Sequence, residues 1–333
     1  MMENDVRYIG RIKQLNIYLG KFFRLFVLQN DWKVLPMSAV IAAMVSLAVG
    51  RGLFKTMEGT FQGAFALSCV CIWNGFFNSI QSICRERAVV KREHRAGMHI
   101  TSYVGAHLIY QAFLCAAQSL ITVIVLGATG VEYPGEAVIF RLNNAELVSA
   151  SAEGAAAAGS GFTTELFITL FLVTYAADLM ALMISAIVHT QMAAMTVMPF
   201  ILIIQLVFSG FIPLPASISE ISNLMLSKAG VQGLCVISDY NNMKAVMIWN
   251  RMSASSDSIE IGGGVKLRDV MNIIEEQGMR DTILYKLGQA NQREDFASTL
   301  GNLMQCWGTL IILAVVFAVV TIVFLEFIDK DKR

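Results

Sequence analysis

Long apolar runs alternate with short polar islands along this 333-residue chain. A bilayer's hydrocarbon core, roughly 30 Å thick, takes about 20 apolar residues to cross as helix. Six segments meet that length and are expected to span: 33–50, 62–83, 102–126, 165–188, 193–212 and 300–327. Pro36 near the start of the first suits an opening helical turn, where a missing N–H goes unnoticed. The fourth and fifth are separated only by HTQMA, which predicts a tight helical hairpin. Residues 8–26 follow a different pattern. Tyr8, Ile12, Leu15, Leu19, Phe22 and Phe26 recur at steps of three and four, one face of an α-helix. Arg7, Arg11, Lys13, Lys21 and Arg24 are interspersed, which argues against spanning and for a helix lying along the membrane surface. A packed soluble helix is the alternative.

Composition agrees with this reading. The chain is 56% hydrophobic and 15% charged, against about 25% charged in soluble domains. The expected fold class is an all-α integral membrane protein. Net charge is zero, so only the placement of charge informs. With both termini cytoplasmic, the inner segments hold more than half of the 25 Lys and Arg residues in well under half of the non-spanning positions, as the positive-inside rule requires. The organisation that follows has four parts. Residues 1–32 form an amphipathic cytoplasmic segment, and 33–212 hold the first five spans with a charged segment at 84–99 and an outer loop at 127–164. Residues 213–299 form an extracytoplasmic loop domain, and 300–333 the last span and its tail. EGAAAAGSG at 153–161 reads as flexible linker, and KLRDVMNIIEEQG as an amphipathic helix. Neither outer loop carries an N-x-[ST] sequon, which favours a bacterial plasma membrane.

Six cysteines do not form a disulfide framework: four lie in apolar spans, Cys84 opens the charged segment and Cys235 stands in the last outer loop. Cys235 is either a free thiol or a link to a second subunit. No metal-ligand spacing surrounds the histidines. The nearest approach to a phosphate-binding loop, GRGLFKT, has Phe54 where glycine would precede Lys55. The chain is therefore expected not to be an enzyme, and to hold no cofactor of its own.

Residues 84–99, CRERAVVKREHRAGMH, carry seven formal charges between two apolar runs. That density suits a short helix at the cytoplasmic face, whether as a topological anchor or as a contact for another protein. The stretch continuing into ITSYVGAHLI resembles the G-subfamily (type V) ABC exporter permeases, in which a charged segment leads into a glycine and then Ser-Tyr. AADLMALMISAIVHTQMAAMTVMPFILIIQLVFSGFIPLP is similar to that family's fourth and fifth helices, and GVQGLCVISDYNN and LEFIDKDKR to its last outer loop and cytoplasmic end. The resemblance implies a permease without its ATPase domain, working as a homodimer or heterodimer with a separate ABC ATPase that binds ATP and Mg. It makes 84–99 a coupling helix whose Glu86, Arg87, Arg92 and Glu93 meet the ATPase, and 8–26 a connecting helix. Phe211 and Ile212, after FSG, match an apolar plug closing the cavity from outside.

Polar residues inside spans are default functional candidates. Asn74 and Asn78 lie one turn apart beside Phe77, so that face offers amide hydrogen bonds next to aromatic surface, suiting an amphipathic molecule; interhelical hydrogen bonding is the alternative. By the resemblance this face lines the substrate cavity. Asp178 is an intramembrane acid that pairs with a polar neighbour or serves proton coupling. His107, Gln111 and Gln118 read as packing contacts. An ion-gradient-driven secondary transporter would need more charge at mid-membrane. A membrane sensor with a ligand-binding outer loop is the third class.

Overall fold

A computed structural model describes residues 10–28, 31–134, 137–139, 153–212, 220–256, 259–262, 265–290 and 293–327. Tyr8, the DKDKR tail and part of the 127–164 loop lie outside the described residues. The described chain is helical apart from one short two-stranded antiparallel hairpin, β1 (Glu260–Gly262) and β2 (Val265–Lys266).

Helix α1 (Arg11–Leu28) lies against α5 (Ile100–Ala128). Its packed face carries Leu15, Tyr18, Leu19 and Phe22, with the Phe22 ring 4.0 Å from His107. Ile12, expected on that stripe, is instead 79% exposed. After the 3-10 turn Asp31–Lys33 come α2 (Val34–Val49) and α3 (Met57–Ser79), then α4 (Ser82–Arg95). GRGLFKT forms the α2–α3 turn, and the buried Phe54 ring meets Phe162 edge-on at 5.1 Å. The long central helix α6 (Glu153–Ile187) packs α3 on one side and α12 (Leu300–Glu326) on another. Its first turns are EGAAAAGSG. The expected flexible linker is helical because a run of alanines is the strongest helix-forming sequence available.

The hairpin between α6 and α7 (Gln191–Val207) is as tight as HTQMA implied, with the Thr190 hydroxyl accepting from the Ala193 amide. Among the described residues, five helical stretches are long and apolar enough to cross a membrane: Asp31–Val49, Met57–Arg95, Ile100–Ala128, Gly161–Ile187 and Leu300–Glu326. The segment expected to span at 193–212 is a shorter apolar helix that contains Pro199 and stops at Val207.

The largest departure follows. Residues 226–237, placed within an outer loop domain by sequence, form α8 (Leu226–Ile237), wedged among α3, α6 and α12, with ten of twelve residues buried. Small residues allow the approach: a Cβ on Gly230 would sit 2.8 Å from Ser68 Oγ and 3.0 Å from Val173 Cγ2. Ser227 fastens the entry, its amide donating to Gln205 Oε1 at 3.2 Å and its hydroxyl to the Gln205 carbonyl at 2.5 Å. Cys235 is consequently fully buried and free, out of reach of a second subunit in this arrangement. The remainder of 213–299 comprises α9 (Tyr240–Ala254), the β hairpin, α10 (Leu267–Glu276), which matches the expected amphipathic helix, and α11 (Arg280–Ala290).

Candidate functional site

The charged elbow is built on α4, which starts two residues before and ends four residues short of the expected 84–99; Gly97, at φ 99°, turns the chain into α5. Its charges are sorted by face. Glu86 Oε2 accepts from Lys21 Nζ at 3.0 Å, and Glu93 Oε2 accepts from the Tyr18 hydroxyl at 2.8 Å. Both carboxylates thus hold α1 rather than pointing outward. Arg87 Nη1 donates to the Ala186 carbonyl at 2.8 Å and to Val188 O at 3.3 Å, at the C-terminal end of α6 where carbonyls lack helical partners. Cys84 Sγ donates to Ser185 O in the same place. Arg85, Ala88, Arg92 and Arg95 are left exposed along one side. Of the four residues expected to meet another protein, only Arg92 presents itself outward. Arg85, not singled out by sequence, shares that side. Positions 85, 88, 92 and 95 follow helical spacing, and that signal was available.

Burial and then the bond to Glu93 raise the Tyr18 pKa above its ordinary value. The neutral phenol is the form that can donate.

At mid-bundle the polar residues pair between helices. Asn78 Nδ2 donates to Gln118 Oε1 at 2.8 Å, and Gln118 Nε2 returns a bond to Asn78 Oδ1 at 3.1 Å. The interhelical alternative therefore describes Asn78. Asn74 is buried, while Trp73 and Phe77 are 44% and 49% exposed on the adjoining side of α3. Asp178 is fully buried in α6; Ser79 Oγ donates to its Oδ1 at 2.7 Å, and Gln111 Nε2 donates to Ser79 Oγ at 2.7 Å. Gln111 and Gln118, read as packing contacts, are the α5 ends of these two ties. Their seven-residue spacing matches two turns of helix, so both face the adjacent Asn78 and Ser79. Nearby, the Gly75 Cα is so close to α6 that a Cβ there would lie 2.7 Å from the Asp178 amide nitrogen.

At the opposite end Glu165, unnoticed at a span boundary, is fully buried and accepts the Val138 and Ile139 amides at 2.9 and 2.5 Å. Phe211 stacks on Phe65, with ring centres 4.6 Å apart, and on Phe61 at 5.6 Å. Ile212 is 47% exposed beside it. Among the described residues no group of three or more His, Cys, Asp or Glu side chains could hold a metal ion.

Long apolar helices enclosing buried polar ties, with a charged elbow at one end, define a multi-pass membrane protein. The ABC-2 type transporter model matches residues 24–237, more than half of the chain, and the chain belongs to that family. Its membrane domain is the permease component of ABC transporters, generally not itself catalytic, and normally works with an ABC ATPase partner. No curated protein matches this sequence.

Proposed function

We propose that this chain is the permease of an ATP-driven exporter of the G-subfamily type, acting as a dimer with separate ATPase subunits that bind ATP and Mg. The observation that carries the reading is the sorting of charge on α4. Its acids are taken up by α1 and its Arg87 by α6, while Arg92 lies exposed on the open side. Such an elbow is rigidly tied to α1 and to the central helix α6, and it offers a basic surface to an acidic groove on the ATPase. Both termini then lie in the cytoplasm, in a bacterial plasma membrane.

Closure of the ATPases pushes α4, and Arg87 passes the push to the end of α6. Asn74 and Phe77 line the cavity of an amphipathic, lipid- or drug-like substrate between two copies, and α7 serves as the fifth of six spans. Phe211 and Ile212, seated on Phe61 and Phe65, form the outer plug. Asp178 serves as a tie between α3, α5 and α6 rather than as a proton carrier. The alternatives are an ion-driven transporter or a sensor.

The test is co-purification with the candidate ATPase and ATP turnover in lipid nanodiscs. Arg92→Glu should lower stimulated turnover and association severalfold while leaving the thermal midpoint unchanged, since its side chain is exposed. Undiminished coupling in that variant would sink the assignment of α4.

A further inference from the structure

A cavity of about 250 Å³ lies at the α1–α4 end, between α1, the Asp31 turn, the α3–α4 elbow and α5. Its apolar wall includes Phe22, Phe26 and Val34, and the last two are partly exposed, so the wall continues onto the outer surface of the bundle. Its polar lining includes His107, 5% exposed, and Gln111, 1% exposed. Both His107 ring nitrogens and Gln111 Oε1 lack any hydrogen-bond partner among the described residues. Buried polar atoms are normally satisfied, so orphans lining a cavity point to a polar guest.

The charges narrow the guest. Glu86 is occupied by Lys21 at 3.0 Å. Arg85 and Asp31 also line the cavity, and neither is salt-bridged to another side chain among the described residues. Arginine suits a phosphate, which it can grip with two parallel bonds. A carboxylate, an amide oxygen and an imidazole nitrogen together suit a cation that carries N–H donors.

We infer that this cavity takes the headgroup of a membrane phospholipid bearing both a phosphate and a primary ammonium, of the phosphatidylethanolamine class. The phosphate lies on Arg85, and the ammonium turns toward Asp31 and Gln111 Oε1. The acyl chains leave past Phe26 and Val34, both partly exposed on the α1 and α2 side, into the bilayer. A trimethylammonium headgroup has no N–H to give these acceptors, and a glycerol headgroup brings no cation to Asp31. The site requires only that the chain sits in a membrane with α1 and α4 at one face. It does not depend on export or on an ATPase, so the permease alone suffices for the test.

Native mass spectrometry of the full-length protein in detergent would be titrated with phosphatidylethanolamine, phosphatidylcholine and phosphatidylglycerol of identical acyl chains. The ethanolamine lipid should bind about tenfold more tightly than the choline lipid, the scale of one hydrogen bond to a charged group. Asp31→Asn should collapse that preference, weakening ethanolamine-lipid binding more than choline-lipid binding, whereas Arg85→Gln should weaken both alike. Gln111→Leu should act like Asp31→Asn. Should Gln111→Leu fail to fold, Asp31→Asn on its partly exposed turn decides alone. Equal binding of ethanolamine and choline lipids, or a preference that survives Asp31→Asn, overturns the proposal. Equal saturation by soluble phosphoethanolamine would show a headgroup site that ignores the lipid, and overturns it too.

Discussion

At the residue scale the mid-bundle amides act as paired groups. Asn78 and Gln118 exchange two hydrogen bonds across α3 and α5. Removing one partner strands the other in an apolar setting, which costs more than removing both. Asn78→Leu and Gln118→Leu should each lower the thermal midpoint, and the double variant should lose less than their sum. A coupling near 1 kcal/mol is expected, within the range measured for polar pairs in membranes. Strict additivity in a double-mutant cycle would dismiss the pair. Tyr18 makes a second residue-scale prediction. Its folded pKa lies above the ordinary value of about 10 because of burial and then the bond to Glu93. A raised folded value contributes stability that is fully present below the unfolded pKa and is lost as pH climbs through the folded one. The advantage of the wild type over Tyr18→Phe should therefore hold from neutral pH to about pH 10 and shrink above it. Paired denaturation curves between neutral and strongly alkaline pH measure this directly, and a constant difference would contradict it.

At the element scale the decisive feature is α8. Its sequence mixes Leu, Val, Ile and Cys with Ser, Lys, Gln and two internal glycines. It is too short and too mixed to announce a buried helix. Gly230 against Ser68 and Val173, and Gly233 against Thr169, let the backbone settle among three helices. Gly230→Val should therefore push α8 out of its seat. Cys235, fully buried in the wild type, reports the change: a membrane-permeant maleimide should label it slowly in the wild type and at least about tenfold faster in the variant, because burial controls thiol access. Equal labelling would mean that α8 does not rely on this close approach. The same scale accounts for α4. Periodicity shows a charged helix, yet whether Glu86 faces α1 or another protein depends on helix rotation, and Lys21 and Tyr18 settle it.

At the scale of the whole molecule, large apolar side chains are exposed on α2, α3, α5, α7 and α12, as suits a bundle bounded by lipid and by a second copy. On α3 and α7 they include Trp73, Phe77, Phe200 and Ile203, at 44%, 49%, 65% and 55% exposed. Under the proposed dimer, the α3 and α7 side meets a second copy. Phe77→Cys should give a disulfide-linked dimer on mild oxidation in membranes, and Met44→Cys, exposed on α2, should not. Cross-linking from α2 but not from α3 would place the partner elsewhere.

What the sequence determined by itself is what local physics controls. Runs of apolar residues of bilayer length mark the long helices, since an unpaired backbone cannot stay in hydrocarbon. HTQMA marks the hairpin, and KLRDVMNIIEEQG the amphipathic helix α10. Basic islands mark the elbow. Tertiary structure alone decided the rest: the inward turn of Glu86 and Glu93, the Gln111–Ser79–Asp178 tie, and the burial of residues 226–237. Each of these depends on which face of one helix meets which face of another. That choice is set by shape and hydrogen-bond matching between residues far apart in the chain, and no local period encodes it.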